Sequence, residues 1–184
     1  YWLEDGLEIL GYKVQLANPA GLSQYDGLKS ANDKTEAFFI AELLRLGILP
    51  TGHIYHHKLR PVRDLLRRRA SLVGRRTSLI LSLRNLHIRN RGHALNSNII
   101  KQAKLCELVG MFDDASEKLT VEVQKSHVDS LGASIKRIER HVLETSEAMP
   151  HAQELSAIPG IGRNLSMTIL MEIGDINRFA SAEN

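Results

Sequence analysis

Residues 61–89 read PVRDLLRRRASLVGRRTSLILSLRNLHIR. Pro61 suits a first helical turn, where a missing amide hydrogen leaves no bond unmade. Val62, Leu65, Leu66, Leu72, Val73, Leu79, Leu83 and Leu86 then keep a helical period to about Arg89, which predicts one long helix. The same helix carries a cluster of arginines, so the stretch that decides the fold also raises the question of function.

Further along the chain, a polar break at 90–98 precedes a second helical half. There Val121, Gln124, Val128, Leu131, Ile135, Ile138 and Val142 follow alternating three- and four-residue steps, the spacing of a coiled coil. Lys125, Lys136, Arg137, Glu139, Arg140 and Glu144 are expected off that seam, and Pro150 to end the helix. The seam can meet a partner chain or fold back on the first long helix as a hairpin. Towards the N-terminus, Leu3, Leu7 and Leu10 predict a helix stopped by Gly11, and Tyr12–Ala17 a short strand ended by Asn18-Pro19. Residues 21–31 read as a loop, and Asn32 or Asp33 as the cap of a helix running to Gly47. The expected fold is mainly α with a small α/β part.

With 184 residues, 43% of them hydrophobic and 24% charged, the chain has room for one ordinary domain or two small ones. No run approaches the roughly 18 apolar residues of a membrane span, and no secretory leader opens the sequence. One cysteine, Cys106, excludes an internal disulfide framework and a cysteine zinc site; among Leu105, Leu108 and Val109 it reads as a buried thiol. Tyr1 falls inside a predicted helix and nothing closes the chain after the last one, so both ends read as cut.

Charge is segregated. From Lys58 to Lys104 there are thirteen Lys or Arg against a single acid, Asp64, while the rest of the chain holds eleven basic and twenty acidic residues. Ten of the thirteen are Arg, whose planar fork grips phosphate in two places. Arg67, Arg68, Arg69, Arg75, Arg76 and Arg84 are the densest candidates for nucleic-acid contact. No Phe, Tyr or Trp interrupts this stretch, so contact with the backbone is expected rather than stacking on bases. The competing expectation is a surface helix that pairs with the acidic remainder of the chain.

The sharpest local motif is Pro159-Gly160-Ile161-Gly162 between two apolar helical stretches, the pattern of a helix-hairpin-helix. Gly160 and Gly162 permit a tight turn and close backbone approach, the following helix start offers free amides, and Arg163 adds charge. The expected ligand is a DNA phosphate; a plain Pro-Gly connector is the alternative. Asp33 and Glu36, three apart at a helix start, share a face and can hold a divalent ion, although acids suit any first turn. Asp113-Asp114 reads as another cap. His53, His56 and His57 read as exposed loop residues, and Ser166 has no base placed to activate it.

Taken in order, these pieces resemble a known family. They are Tyr1-Trp2, Ala17-Asn18-Pro19, Asn32-Asp33-Lys34-Thr35-Glu36-Ala37, and Leu65-Leu66-Arg67-Arg68-Arg69 with Leu72-Val73. Ile158-Pro159-Gly160-Ile161-Gly162 follows, running through Glu172-Ile173-Gly174-Asp175 to Arg178-Phe179. The whole resembles the DEDD transposases of bacterial insertion sequences, the IS110 group.

The resemblance implies a partial RuvC-like, RNase H-type catalytic domain over 1–57 and a basic helical region over 58–104. It implies a coiled-coil linker over 105–150 and the start of a second transposase domain with the helix-hairpin-helix over 151–184. It also implies DNA transposition with magnesium, a guide RNA encoded by the element, homo-oligomers formed through the linker, and a place on the bacterial nucleoid in the cytoplasm. The family's closing Asp-x-x-Asp pair falls on Asp33, which matches, and Glu36, which departs by one methylene. The other two acids should lie before Tyr1 and the serine nucleophile after Asn184, so this chain alone is expected to be inactive. A non-enzymatic nucleic-acid-binding module and a helical scaffold are the alternative readings.

Overall fold

A computed structural model describes residues 1–28, 32–146, 149 and 151–179. The described chain is predominantly helical with one two-stranded sheet, and divides into two compact units, Tyr1–Lys58 and Leu59–Asn184.

In the first unit, α1 spans Trp2–Ile9 and ends where Gly11 takes a left-handed φ of +84°, with the Tyr12 amide donating to Leu7 O at 3.0 Å. The expected strand shrinks to β1, Leu16–Ala17, antiparallel to β2, Thr51–Gly52, with Leu16 opposite Gly52 and Ala17 opposite Thr51. Tyr12–Gln15 forms no ladder because the partner is two residues long. The expected loop at 21–31 is also more ordered than its composition indicated. Asn18 caps α2, Pro19–Leu22, and a 3-10 turn follows over Ser23–Leu28; 29–31 lie outside the described residues. Next, α3 spans Asp33–Leu46, opened by Asn32 accepting from the Thr35 amide at 3.0 Å and closed by Gly47 at φ 72°. Leu22 and Leu43 are the buried apolar residues among those described here.

The second unit is built on two helices of equal length. α4 spans Arg60–Arg91 and α7 spans Ala115–Ser146, 32 residues each, so each is about 48 Å long. They pack antiparallel as a hairpin: Arg69 meets Glu139 and Arg76 lies against Gly132. The polar break expected at 90–98 begins later, at Gly92, and holds the start of α5, Ser97–Gln102; α6, Leu105–Val109, follows.

Each end of the hairpin has its own core. At one end Ile80 and Leu83 of α4 and Val121 and Val128 of α7 enclose Leu95, Ile100, Leu108 and Phe112 from the connection. At the other, Leu66 and Val142 receive Ala152 of α8, Ala152–Ser156, and Met167 and Met171 of α9, Arg163–Ile173. The chain between α7 and α8 includes Pro150, the expected helix stop, which lies outside the described residues.

Two expectations for this unit are corrected. Val121, Val128, Ile135 and Val142 do form the centre of the buried face of α7, but Lys125 and Glu139 join it instead of lying outside. Lys125 is 2% exposed and donates to Asp129, while Glu139 accepts from Arg69 Nε at 2.8 Å. A stripe wide enough to pack α4, α6 and α9 extends beyond the apolar positions, and polar residues enter it where a partner satisfies them. Cys106, expected to be buried, is exposed. In the short α6 the inward residue is Leu108, and a residue two positions away points to the opposite side.

Candidate nucleic-acid interface

The thirteen basic residues of 58–104 do not share one environment. α4 turns a heptad-spaced row toward α7, made of Val62, Leu66, Arg69, Val73, Arg76, Ile80, Leu83 and His87, each buried or half-buried. Arg69 and Arg76 therefore form a polar belt between the two apolar cores. Arg69 is ion-paired to Glu139. A Cβ on Gly132 would stand 3.5 Å from Arg76 Nη1, an ordinary contact distance, so that guanidinium lies against this part of α7. Arg84 is half-buried, and its Nε, like Gln124 Oε1 on α7, is buried with no hydrogen-bond partner among the described residues.

One flank of the hairpin is neutralised. Arg63 donates to Glu172 Oε2 of α9 from Nε at 3.0 Å and Nη2 at 2.8 Å, and Arg67 reaches Glu172 Oε1 at 3.4 Å. Arg91 pairs with Asp113 at 2.7 Å, and Lys125 with Asp129. At Arg63, Arg67 and Arg91 the expected pairing of basic helix with acidic remainder holds.

The other flank differs. Arg68 and Arg75 are exposed and make no ion pair among the described residues. They stand seven residues apart on one line of α4, about 10.5 Å, and the line continues through Ser82 to Arg89. Beside it, Arg75, Ser78 and Leu79 of α4 and His127, Ser130 and Leu131 of α7 line a recess of about 430 Å³ between the helices.

The remaining candidates lie elsewhere. Gly160 takes φ +90° in the turn after α8, and Gly162, extended at φ −78° and ψ 164°, is the cap of α9. Both would admit a Cβ without touching anything within 4 Å, so the turn faces open space. Arg163 is exposed at the first position of α9. Ser166, not nominated as a nucleophile, is 1% exposed and its Oγ donates to Ala152 O at 2.8 Å, which clasps α8 to α9.

Asp33 and Glu36 are exposed on the first turn of α3. No third metal-ligating side chain joins them among the described residues; the group of three found there is Glu4, Asp5 and Glu8 on α1. His56 and His57 are exposed with ring centroids 4.1 Å apart, whereas His53, expected to be exposed, is half-buried against Tyr55. Asp114 is a cap as expected: its Oδ1 accepts from the amides of Ser116 at 2.8 Å and Glu117 at 3.2 Å. Those amides, with the Ser116 hydroxyl, hold its carboxyl below the usual carboxylate range.

Comparison with known proteins bears on the segment that contains α8, the glycine turn and α9. Residues 152–184 match the model of the Transposase IS116/IS110/IS902 family. Over this segment the chain is similar to the IS110-group transposases. No curated protein matches the chain. No helix among the described residues is long and apolar enough to cross a membrane.

The sequence reasoning missed the row on α7 that faces Arg75. His127, Ser130 and Ser134 are individually unremarked residue types, and nothing in α7 alone indicates that an arginine line runs beside them. The available signal was their spacing of three and four residues, read against the same spacing in Arg68, Ser71, Arg75 and Ser78.

Proposed function

We propose that the chain serves DNA transposition, binding DNA through the hairpin and the α8–α9 turn while contributing part of a magnesium-dependent catalytic centre. In this reading 1–57 is part of a RuvC-like catalytic domain, 58–104 and 105–150 are the basic helix and its linker, and 151–184 begins the second transposase domain. Its setting is the bacterial nucleoid, with element-encoded guide RNA and a second copy of the chain as partners. The central seam of the hairpin is filled by α4 and α7 of one chain, so a second copy would use another face.

The family match at 152–184 carries this reading, because it falls on the turn whose glycines and helix start suit a phosphate. The exposed arginines support it: Arg68 and Arg75 make no ion pair among the described residues. Phosphate neutralisation by Arg68, Arg75 and Arg163 needs no base contact and positions a duplex without reading its sequence.

Asp33 and Glu36 offer two carboxylates on one helical turn, which fits part of a magnesium shell but not all of it. Bound there, the ion would stabilise charge developing on a phosphoryl oxygen. Without further oxygens at that point, the chain by itself is expected to bind DNA and not to cut or join it.

Duplex binding followed against salt tests the first half: log K should fall linearly with log salt concentration. Absence of binding in dilute buffer would sink it. Strand transfer with magnesium on an element-end substrate tests the second half, and turnover by this chain alone would overturn that half. In a chain that does turn over, Asp33→Ala should abolish the reaction and leave DNA binding nearly unchanged.

A further inference from the structure

We infer that the unpaired flank of the α4–α7 hairpin is a seat for one backbone of duplex DNA, and that α7 builds it together with α4. This deepens the DNA-binding reading above and rests on it. The juxtaposition is the recess where Arg75, Ser78 and Leu79 face His127, Ser130 and Leu131. Heptad spacing repeats it along the rod. Arg68 and Ser71 precede Arg75 and Ser78 by seven residues on α4, and Ser134 and Arg137 follow His127 and Ser130 by seven on α7.

The flank is therefore bordered by arginines, hydroxyls and imidazoles. From Leu65 to Cys106 the chain contains no acid; the acids that continue these rows are Asp64, one turn before Arg68, and Glu144, in the last turn of α7. Asp129, two residues from His127, is turned to the opposite flank and tied to Lys125. Around the recess itself, such a surface presents cations and neutral donors to a polyanion, with the acids of these rows confined to their ends.

Two features select a duplex over unpaired strands. Neither α4 nor α7 contains Phe, Tyr or Trp, the large rings on which exposed bases stack most strongly. The line from Arg68 to Arg89 covers about 31 Å along one uninterrupted helix, close to one turn of B-form DNA. Hydroxyls of Ser78, Ser130 and Ser134 add neutral donors to phosphate between the charges.

The test uses the whole chain and a labelled DNA duplex of about 20 base pairs, two helical turns. Fluorescence anisotropy is measured across salt concentrations, with circular dichroism to confirm that each variant is folded. Arg68→Ala with Arg75→Ala should lower the slope of log K against log salt by about two. Ser130→Glu with Ser134→Glu, on the exposed side of α7, should weaken binding by about tenfold or more, as expected when two like charges face phosphate. Lys136→Glu with Arg140→Glu, away from the recess, should cost distinctly less.

If the unaltered chain binds no DNA, the DNA-binding reading itself falls. If it binds, and Arg163→Ala weakens it while both flank variants bind as before, only the seat on the hairpin is overturned. Preference for single-stranded DNA or for RNA over the duplex at equal salt would overturn the choice of ligand.

Discussion

At the scale of single residues, position in the fold separates side chains that look alike in the sequence. Gly160 and Gly162 bracket one residue, yet Gly160 sits at φ +90° and Gly162 in extended backbone that any residue adopts. Gly160→Ala should therefore cost about 1 kcal/mol or more in a thermal melt, while Gly162→Ala should leave stability nearly unchanged. If both substitutions weaken DNA binding with only the first lowering stability, close backbone approach at the turn is supported. Ser166 shows how burial assigns a hydroxyl to structure. Ser166→Ala removes the buried hydroxyl that ties α9 to Ala152 O and should destabilise by about 1 kcal/mol, read from denaturant midpoints. Cys106 and Lys125 exchanged their expected places for a related reason. Residue type sets only a preference for burial, and the local face of α6 and the Asp129 carboxylate decided each case.

At the scale of elements, helix ends were the most legible feature. Asn32, Gly47, Pro61 and Asp114 act where local chemistry alone assigns them, because a cap satisfies amides or carbonyls within a few residues of itself. Asp114 also links helix stability to pH. Its carboxyl titrates below the ordinary value in the folded chain, so the stabilisation is fully present above the ordinary carboxylate range. It fades as pH falls through the depressed folded value. Asp114→Asn should keep the cap and flatten this part of the acid unfolding profile, whereas Asp114→Ala should lose the cap at every pH. The site is exposed, so added salt should reduce the effect. The short elements were not legible: β1 and β2 form only because Thr51 and Gly52 come beside Leu16 and Ala17 from far along the chain. Likewise α5 and α6 are too short to show a period, and their place is set by Ile100 and Leu108 entering the hairpin core.

For the whole molecule, two cores on one rod and a separate N-terminal unit imply separable folding. The stretch Leu59–Asn184 contains both large apolar clusters. Produced alone, it should keep its helical signal and unfold cooperatively; a noncooperative melt would show that the N-terminal unit is needed to complete it. It should also retain DNA binding, since Arg68, Arg75 and the α8–α9 turn all lie within it. The amino-acid sequence by itself determined that α3, α4 and α7 are helices, where they are capped, and that positive charge is concentrated on one of them. Each of these follows from interactions within a few residues or from composition. Only the tertiary structure decided which arginines are spent on Glu139, Glu172 and Asp113 and which remain open, because those acids lie about twenty to more than a hundred residues away. It alone set His127 and Ser130 beside Arg75, since a contact between antiparallel helices depends on how their side chains interlock, and neither helix encodes that register without the other.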